Sequence, residues 1–134
     1  MARLLGISLR DLRMDEVEFS VLFYTEDTEI EGNILASGND AEDKEAEEEV
    51  RRQIARGNMY AWCSVEVSAK WSIFSGRALL GCCSYVSEED ARKSVEEDGL
   101  KEQALDDLNR TLVATVDALN PLLDVSDDGD EERG

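Results

Sequence analysis

Apolar and polar positions along this chain repeat with two different periods, and the switches between them predict six elements. Residues 17–25 (VEFSVLFYT) are dense in β-branched and aromatic side chains and predict a strand. Residues 60–71 (YAWCSVEVSAKW) alternate: Ala61, Cys63, Val65, Val67 and Ala69 fall on one face, and Trp62, Ser64, Glu66, Ser68 and Lys70 on the other. The first set predicts the core face. Residues 72–77, with Gly76, predict a hairpin connection. Residues 78–85 (ALLGCCSY) predict the return strand, and Gly81 within it marks a bulge or a close backbone approach.

The helical segments carry their own start and stop signals. Gly32-Asn33 and residues 37–39 break the chain, and Asp40 predicts an N-cap followed by Glu42 and Asp43, where the helix dipole favours negative charge. A helix over residues 41–56 follows, with Ala46, Val50 and Ile54 as its stripe, arginines at its C-terminal end, and Gly57 past that end in the left-handed position. Ser87 before Glu88, Glu89 and Asp90 predicts a second N-cap and a short helix to about residue 95. Residues 100–119 form the longest helical pattern, striped by Leu100, Ala104, Leu108, Leu112 and Leu119 and widened by Leu105 and Val116. Asn120-Pro121 ends it, residues 122–125 are expected to pack back, and residues 126–134 (SDDGDEERG) are expected to be a disordered acidic tail. The order β-α-β-β-α-α predicts an α+β two-layer fold: an antiparallel sheet of about three strands packed against two main helices, in one domain over residues 1–125.

Charge changes this picture. The chain has 134 residues, with 32 acids against 14 bases, a net charge of −18, and no histidine. The charge is segregated. Residues 15–49 hold fourteen acids and one base, and residues 86–134 hold sixteen acids and five bases. Residues 50–85 hold five bases, one acid, both tryptophans and all three cysteines. Such a surface repels phosphates, which argues against direct nucleic-acid binding and against adsorption to an anionic membrane. The lack of histidine removes the commonest general base and metal ligand. Residues 1–13 are too short and broken for a signal peptide, and three cysteines with two adjacent make a poor disulfide framework. A reducing cytoplasm is expected, with the thiols packed as small hydrophobes.

Several segments together, EGNILASGNDAEDKEAEEEV, RGNMYAWCSVEVSAKW, GRALLGCCSYVSEED and EQALDDLNRTL, resemble a family of small acidic uncharacterised proteins encoded by bacterial phages, plasmids and integrated elements. The resemblance covers about residues 15–112. It rests most on Gly57-Asn58, Ala61-Trp62-Cys63 and the run from Leu80 to Tyr85. The family has an aromatic-rich stretch near residues 91–99, where this chain has SVEEDG at residues 94–99. The resemblance implies a mobile-element origin and carries no reaction, cofactor or catalytic residue.

The residues themselves give no catalytic constellation. The acids lie on polar stretches, whereas catalytic carboxylates need an apolar pocket to shift their pKa. Neither zinc nor calcium spacing is met. No enzyme, metal or cofactor is therefore expected. The acidic flanks are the sharpest feature. Glu42, Glu45 and Glu49 recur at helical spacing, as do Asp43 and Glu47, and such neighbours stand about 5–6 Å apart. That separation is comparable, within a few ångström, with phosphates along a DNA strand. Each like-charge pair costs the helix roughly 0.2–0.5 kcal/mol, so something other than helix stability is expected to retain them. Glu88, Glu89 and Asp90, then Glu96 and Glu97, then Asp106 and Asp107, are expected to extend the surface, with Trp62 as its exposed apolar anchor. The expected function is inhibition of a basic nucleic-acid-binding machine of a bacterial host, of anti-CRISPR or anti-restriction type, by a DNA-like acidic surface. The alternative is a homo-oligomeric accessory protein, dimeric through the sheet face around Trp62, whose acidity only keeps it soluble.

Overall fold

Cys63, Val65, Val67 and Ala69 are fully buried, and the strand that carries them is the middle of the sheet. The computed structural model describes residues 3–4, 7–34 and 39–123. In chain order the elements are β1 (Arg3–Leu4), β2 (Ile7–Ser8), β3 (Glu18–Thr25), α1 (Asp40–Ala55), β4 (Cys63–Trp71), β5 (Phe74–Cys83), α2 (Glu88–Glu97) and α3 (Leu100–Leu119). Short 3-10 turns lie at Met14–Glu16, Met59–Ala61 and Asn120–Leu122. β1 and β2 form a two-residue ladder that the hydrophobic pattern does not predict. The other three strands form an antiparallel sheet in the order β3-β4-β5, so the fold is α+β as expected.

Small side chains set the distance between the layers. Ala69 pairs with Gly76 and Val67 with Ala78, which makes a shallow trough on β4 and β5. α3 lies in that trough with Ala104 and Leu108 completely buried. A Cβ at Gly76 would sit 2.2 Å from the Leu108 amide nitrogen and 2.5 Å from the Ala104 carbonyl oxygen. Gly76 is therefore not the turn residue that the hairpin pattern suggests. The connection is only Ser72-Ile73, between the paired Trp71 and Phe74, with Ser72 at φ +56°. The expected irregularity at Gly81 is present: Gly81 and Cys82 together face Ser64, and Cys82 takes φ +56°. Its N–H donates to Glu26 Oε1 at 2.8 Å, tying the bulge to the end of β3.

The helix ends follow local chemistry. Asn39, not Asp40, caps α1: its Oδ1 accepts from the N–H groups of Ala41 and Glu42, and Asp40 joins the acidic first turn. Gly57 takes φ +92° just past the other end. Ser87 Oγ accepts from the Asp90 N–H and caps α2, which runs two residues beyond the expected end and buries Ala91 and Val95. Residues 9–17 strap across α3. Asn109 accepts from the Leu12 N–H at 2.9 Å and donates back to its carbonyl at 3.2 Å. Within the strap, Glu16 takes both Arg10 nitrogens and the Arg13 N–H, which holds its carboxyl down to about 2.

Among the described residues, helices cover one face of the sheet. The face bearing Leu22, Tyr24 and Leu79 is open. α1 does not lie on the sheet. It closes over the end of β4, where Val50, Ala61 and Trp62 form a second cluster with Ile30 and Ile34. Leu122 does not pack back: it is 78% exposed. Residues 35–38, 124–125 and the tail at 126–134 lie outside the described residues.

The trough generates a direct test. Gly76→Ala should lower the unfolding free energy by about 3 kcal/mol or more, because the added methyl meets helix backbone that cannot yield locally. Gly57→Ala has open space around it and meets only the left-handed backbone cost of about 1–2 kcal/mol. Urea denaturation of the two variants checks the difference.

Candidate interaction surface

The acidic residues singled out from the sequence divide into three groups once the helices are placed. The first group is structural. Glu47 is 6% exposed and accepts the Gly32 N–H at 2.8 Å, anchoring the turn before α1. Glu47 is therefore a correction to the expected acidic array. Val50 and Glu47 share one side of α1, and that side closes onto residues 30–34. Asp90 accepts the Val86 N–H and Asp107 accepts the Arg77 N–H, both from half-buried positions. Asp43 is likewise half-buried.

The second group is exposed but engaged in ion pairs. Glu49 takes Arg52 at 2.7 Å and Gln53 at 2.9 Å, and these hydrogen bonds, Gln53's first, hold its carboxyl below the usual range. Glu88 pairs with Arg92, Glu96 with Lys101, and Asp106 with Arg110. Such surface pairs contribute little stability, but each places a cation beside the carboxylate and offsets part of its charge.

The third group is free. The carboxylates of Glu42 and Glu45 on α1, and of Glu89 and Glu97 on α2, are exposed and make no hydrogen bond or salt bridge among the described residues. Glu48, which the spacing argument passed over, joins them. It stands three residues after Glu45, on the exposed side of the helix, and its charge reaches Arg52 as Glu45's does. Its signal was legible as a third (i, i+3) acid. α1 therefore presents Glu42, Glu45 and Glu48 over its first turns and arginines over its last. Asn58 Nδ2 donates to the carbonyls of Tyr85 and Val86, so the arginine-bearing end of α1, not its acidic end, adjoins the acidic start of α2.

Trp62 is the larger correction. Alternation places it opposite the core face, yet it is 5% exposed. Residues 26–34 and α1 cover that end of the sheet, and its Nε1–H donates to the Thr28 carbonyl at 2.7 Å. The exposed tryptophan is Trp71, 41% accessible and stacked on Phe74 at 6.3 Å between ring centres. It borders an apolar groove of about 330 Å³ formed with Leu9, Leu12, Leu112 and Leu119. A second cleft, of about 580 Å³, opens above Trp62 between residues 25–30 and the end of α1.

The cysteines are free thiols, and Cys63 and Cys83 are cross-strand partners in the core. Burial pushes the Cys63 thiol up to about 11 and raises Cys83 as well, so neither is a ready thiolate. Among the described residues no cluster of three or more His, Cys, Asp or Glu is placed to hold a metal ion, and no helix is long and apolar enough to cross a membrane. No protein-family model, no curated protein and no solved structure matches this chain.

Thiol chemistry reads out this placement. In the native protein near neutral pH, Ellman's reagent should release one equivalent rapidly, from exposed Cys82, and the other two only on unfolding in denaturant. Rapid native release of all three would contradict the buried placement of Cys63 and Cys83.

Proposed function

We propose that the protein is a non-enzymatic inhibitor from a bacterial mobile element, which occupies the basic nucleic-acid-binding cleft of a host machine of CRISPR or restriction type. The observation that carries this reading is the ridge of Glu42, Glu45 and Glu48, unpaired on the exposed side of a helix whose other side is pinned by Val50 and Glu47. A rigid array of charges loses little order on docking, whereas flexible acids lose more. The net charge of −18 gives long-range attraction toward a cationic cleft and raises the encounter rate. Among the described residues, hydrogen bonds hold the carboxyls of Glu16, Glu26 and Glu49 below the ordinary range.

The test is inhibition of DNA cleavage by purified CRISPR effectors and restriction enzymes, at low and high salt. For a sensitive enzyme, inhibition should weaken steeply with salt, and Glu42→Lys/Glu45→Lys/Glu48→Lys should abolish it while the circular dichroism spectrum is unchanged. A triple variant as potent as the parent would exclude this helix as the mimic.

A second reading, self-association, is favoured by the exposed apolar end of the molecule. Trp71, Ile73, Leu119 and Leu122 are all substantially accessible there, and among the described residues Arg10 is the one charged residue lining the groove. This moves the expected dimer contact from Trp62 to Trp71. Sedimentation should then show a dimer that dissociates on dilution and on Leu119→Glu. A monomer at all concentrations rules that reading out.

A further inference from the structure

We propose that the cleft above Trp62 receives one apolar side chain of a basic partner segment, a leucine, methionine or phenylalanine flanked by arginine or lysine. This rests on the inhibitor reading and adds to it the contact that would fix register, because charge attraction alone is long-ranged and poorly directional.

The cleft has the size and composition for such an anchor. Its volume of about 580 Å³ lies within the range of small-ligand sites, and it is walled by Ile30, Ile54 and Met59 over Trp62. Ile54 and Met59 are 43% and 50% exposed, so two large apolar side chains meet water side by side. Ile54 continues the stripe that buries Val50, but one helical turn later it is 43% exposed among the described residues. Met59 is unbranched and soft and can adapt to more than one incoming shape.

The rim supplies the charge preference. Glu29 lines the cleft with an exposed carboxylate that makes no salt bridge or hydrogen bond among the described residues, and Asp27 and Glu31 flank it in sequence. On the opposite side, the C-terminal end of α1 adds the negative end of its dipole. The cations of that helix end, Arg51, Arg52 and Arg56, do not line the cleft. A partner's cation therefore finds its counter-charge on the side of residues 27–31.

The rim is also held in place. The Thr28 carbonyl accepts the Trp62 indole N–H, and Glu26 Oε2 accepts the Thr28 N–H. Asn33 Nδ2 donates to the Glu29 carbonyl at 2.8 Å. The carboxylate of Glu26, also in the lining, is spent on the Cys82 and Thr28 amides. It shapes the wall, and Glu29 is left to meet the ligand.

The probe is a pair of short arginine–lysine peptides that differ only in one central residue, leucine or serine, titrated against the full chain. The leucine peptide should bind about tenfold tighter or more. Ile54→Ser/Met59→Ser should erase that difference without weakening the serine peptide. Glu29→Gln should weaken both peptides. Glu42→Lys/Glu45→Lys/Glu48→Lys should weaken both in a salt-dependent manner and leave their ratio unchanged. Equal binding of the two peptides, or binding of neither, overturns the cleft assignment. The cleavage assays above judge the inhibitor reading separately, because they turn on α1 and not on this ratio.

Discussion

The closeness of α3 to the sheet is the constraint from which the rest of the fold follows. Gly76, Ala69 and Ala78 leave room for helix backbone to approach strand backbone, and Leu108 fills the space between them. At that distance the flanks of α3 can work on its neighbours. Asp107 reaches the Arg77 N–H on edge strand β5, which would otherwise be open to another strand. Asn109 bonds Leu12 in both directions and brings the N-terminal strap down onto the helix. Toward β3, the Lys101 ammonium lies 5.7 Å from the ring centre of Phe19, and Arg92 of α2 lies 5.4 Å from that of Phe23. These cations cover aromatic surface with their stems while neutralising nearby acids.

The second cluster, around Trp62, is smaller and has a different purpose. A three-stranded sheet with helices on one face leaves α1 without a place in the main core. Trp62 supplies one, since its indole buries a large apolar area and its N–H pins the preceding loop. Glu47 completes the arrangement by satisfying the Gly32 N–H, a backbone donor that would otherwise be costly to leave unpaired. The helix that carries the free acids is thus held by one tryptophan, one valine and one buried carboxylate.

This arrangement divides the acidity of the chain by use. Among the described residues, some carboxylates close backbone turns, some offset nearby cations, and the rest face water with no ion pair or hydrogen bond to balance them. Net charge alone does not distinguish these uses, because it counts Glu47 and Glu42 alike. What reaches a partner is the third set, together with the apolar surface that the fold leaves uncovered. That surface includes the cleft above Trp62, beside unpaired acids, the groove around Trp71, and the open sheet face with Leu22, Tyr24 and Leu79. At the first, a ligand that reads both charge and shape would meet the two together.

Most of the elements were legible because their signals are local. The alternation through β4, the Ser87 cap, the glycine after α1 and the limits of α3 each depend on residues within a turn or a pleat of one another. The same spacing marked Glu42, Glu45 and Glu89 as surface acids. What the spacing could not say is which side of an element another part of the chain covers. Trp62 alternates outward and is nonetheless buried, because residues 26–34 and α1, distant in sequence, fold over it. Glu47 sits in an acidic run and is nonetheless internal, because its helix face meets Gly32. Gly76 looks like a turn glycine and is a contact glycine, because α3 arrives from thirty residues away. Sequence determined the periods, the caps and the sign of the surface, all short-range properties of a chain. Tertiary structure alone decided which charges remain unpaired and which apolar side chains remain in water, since exposure is settled by the last segment to pack.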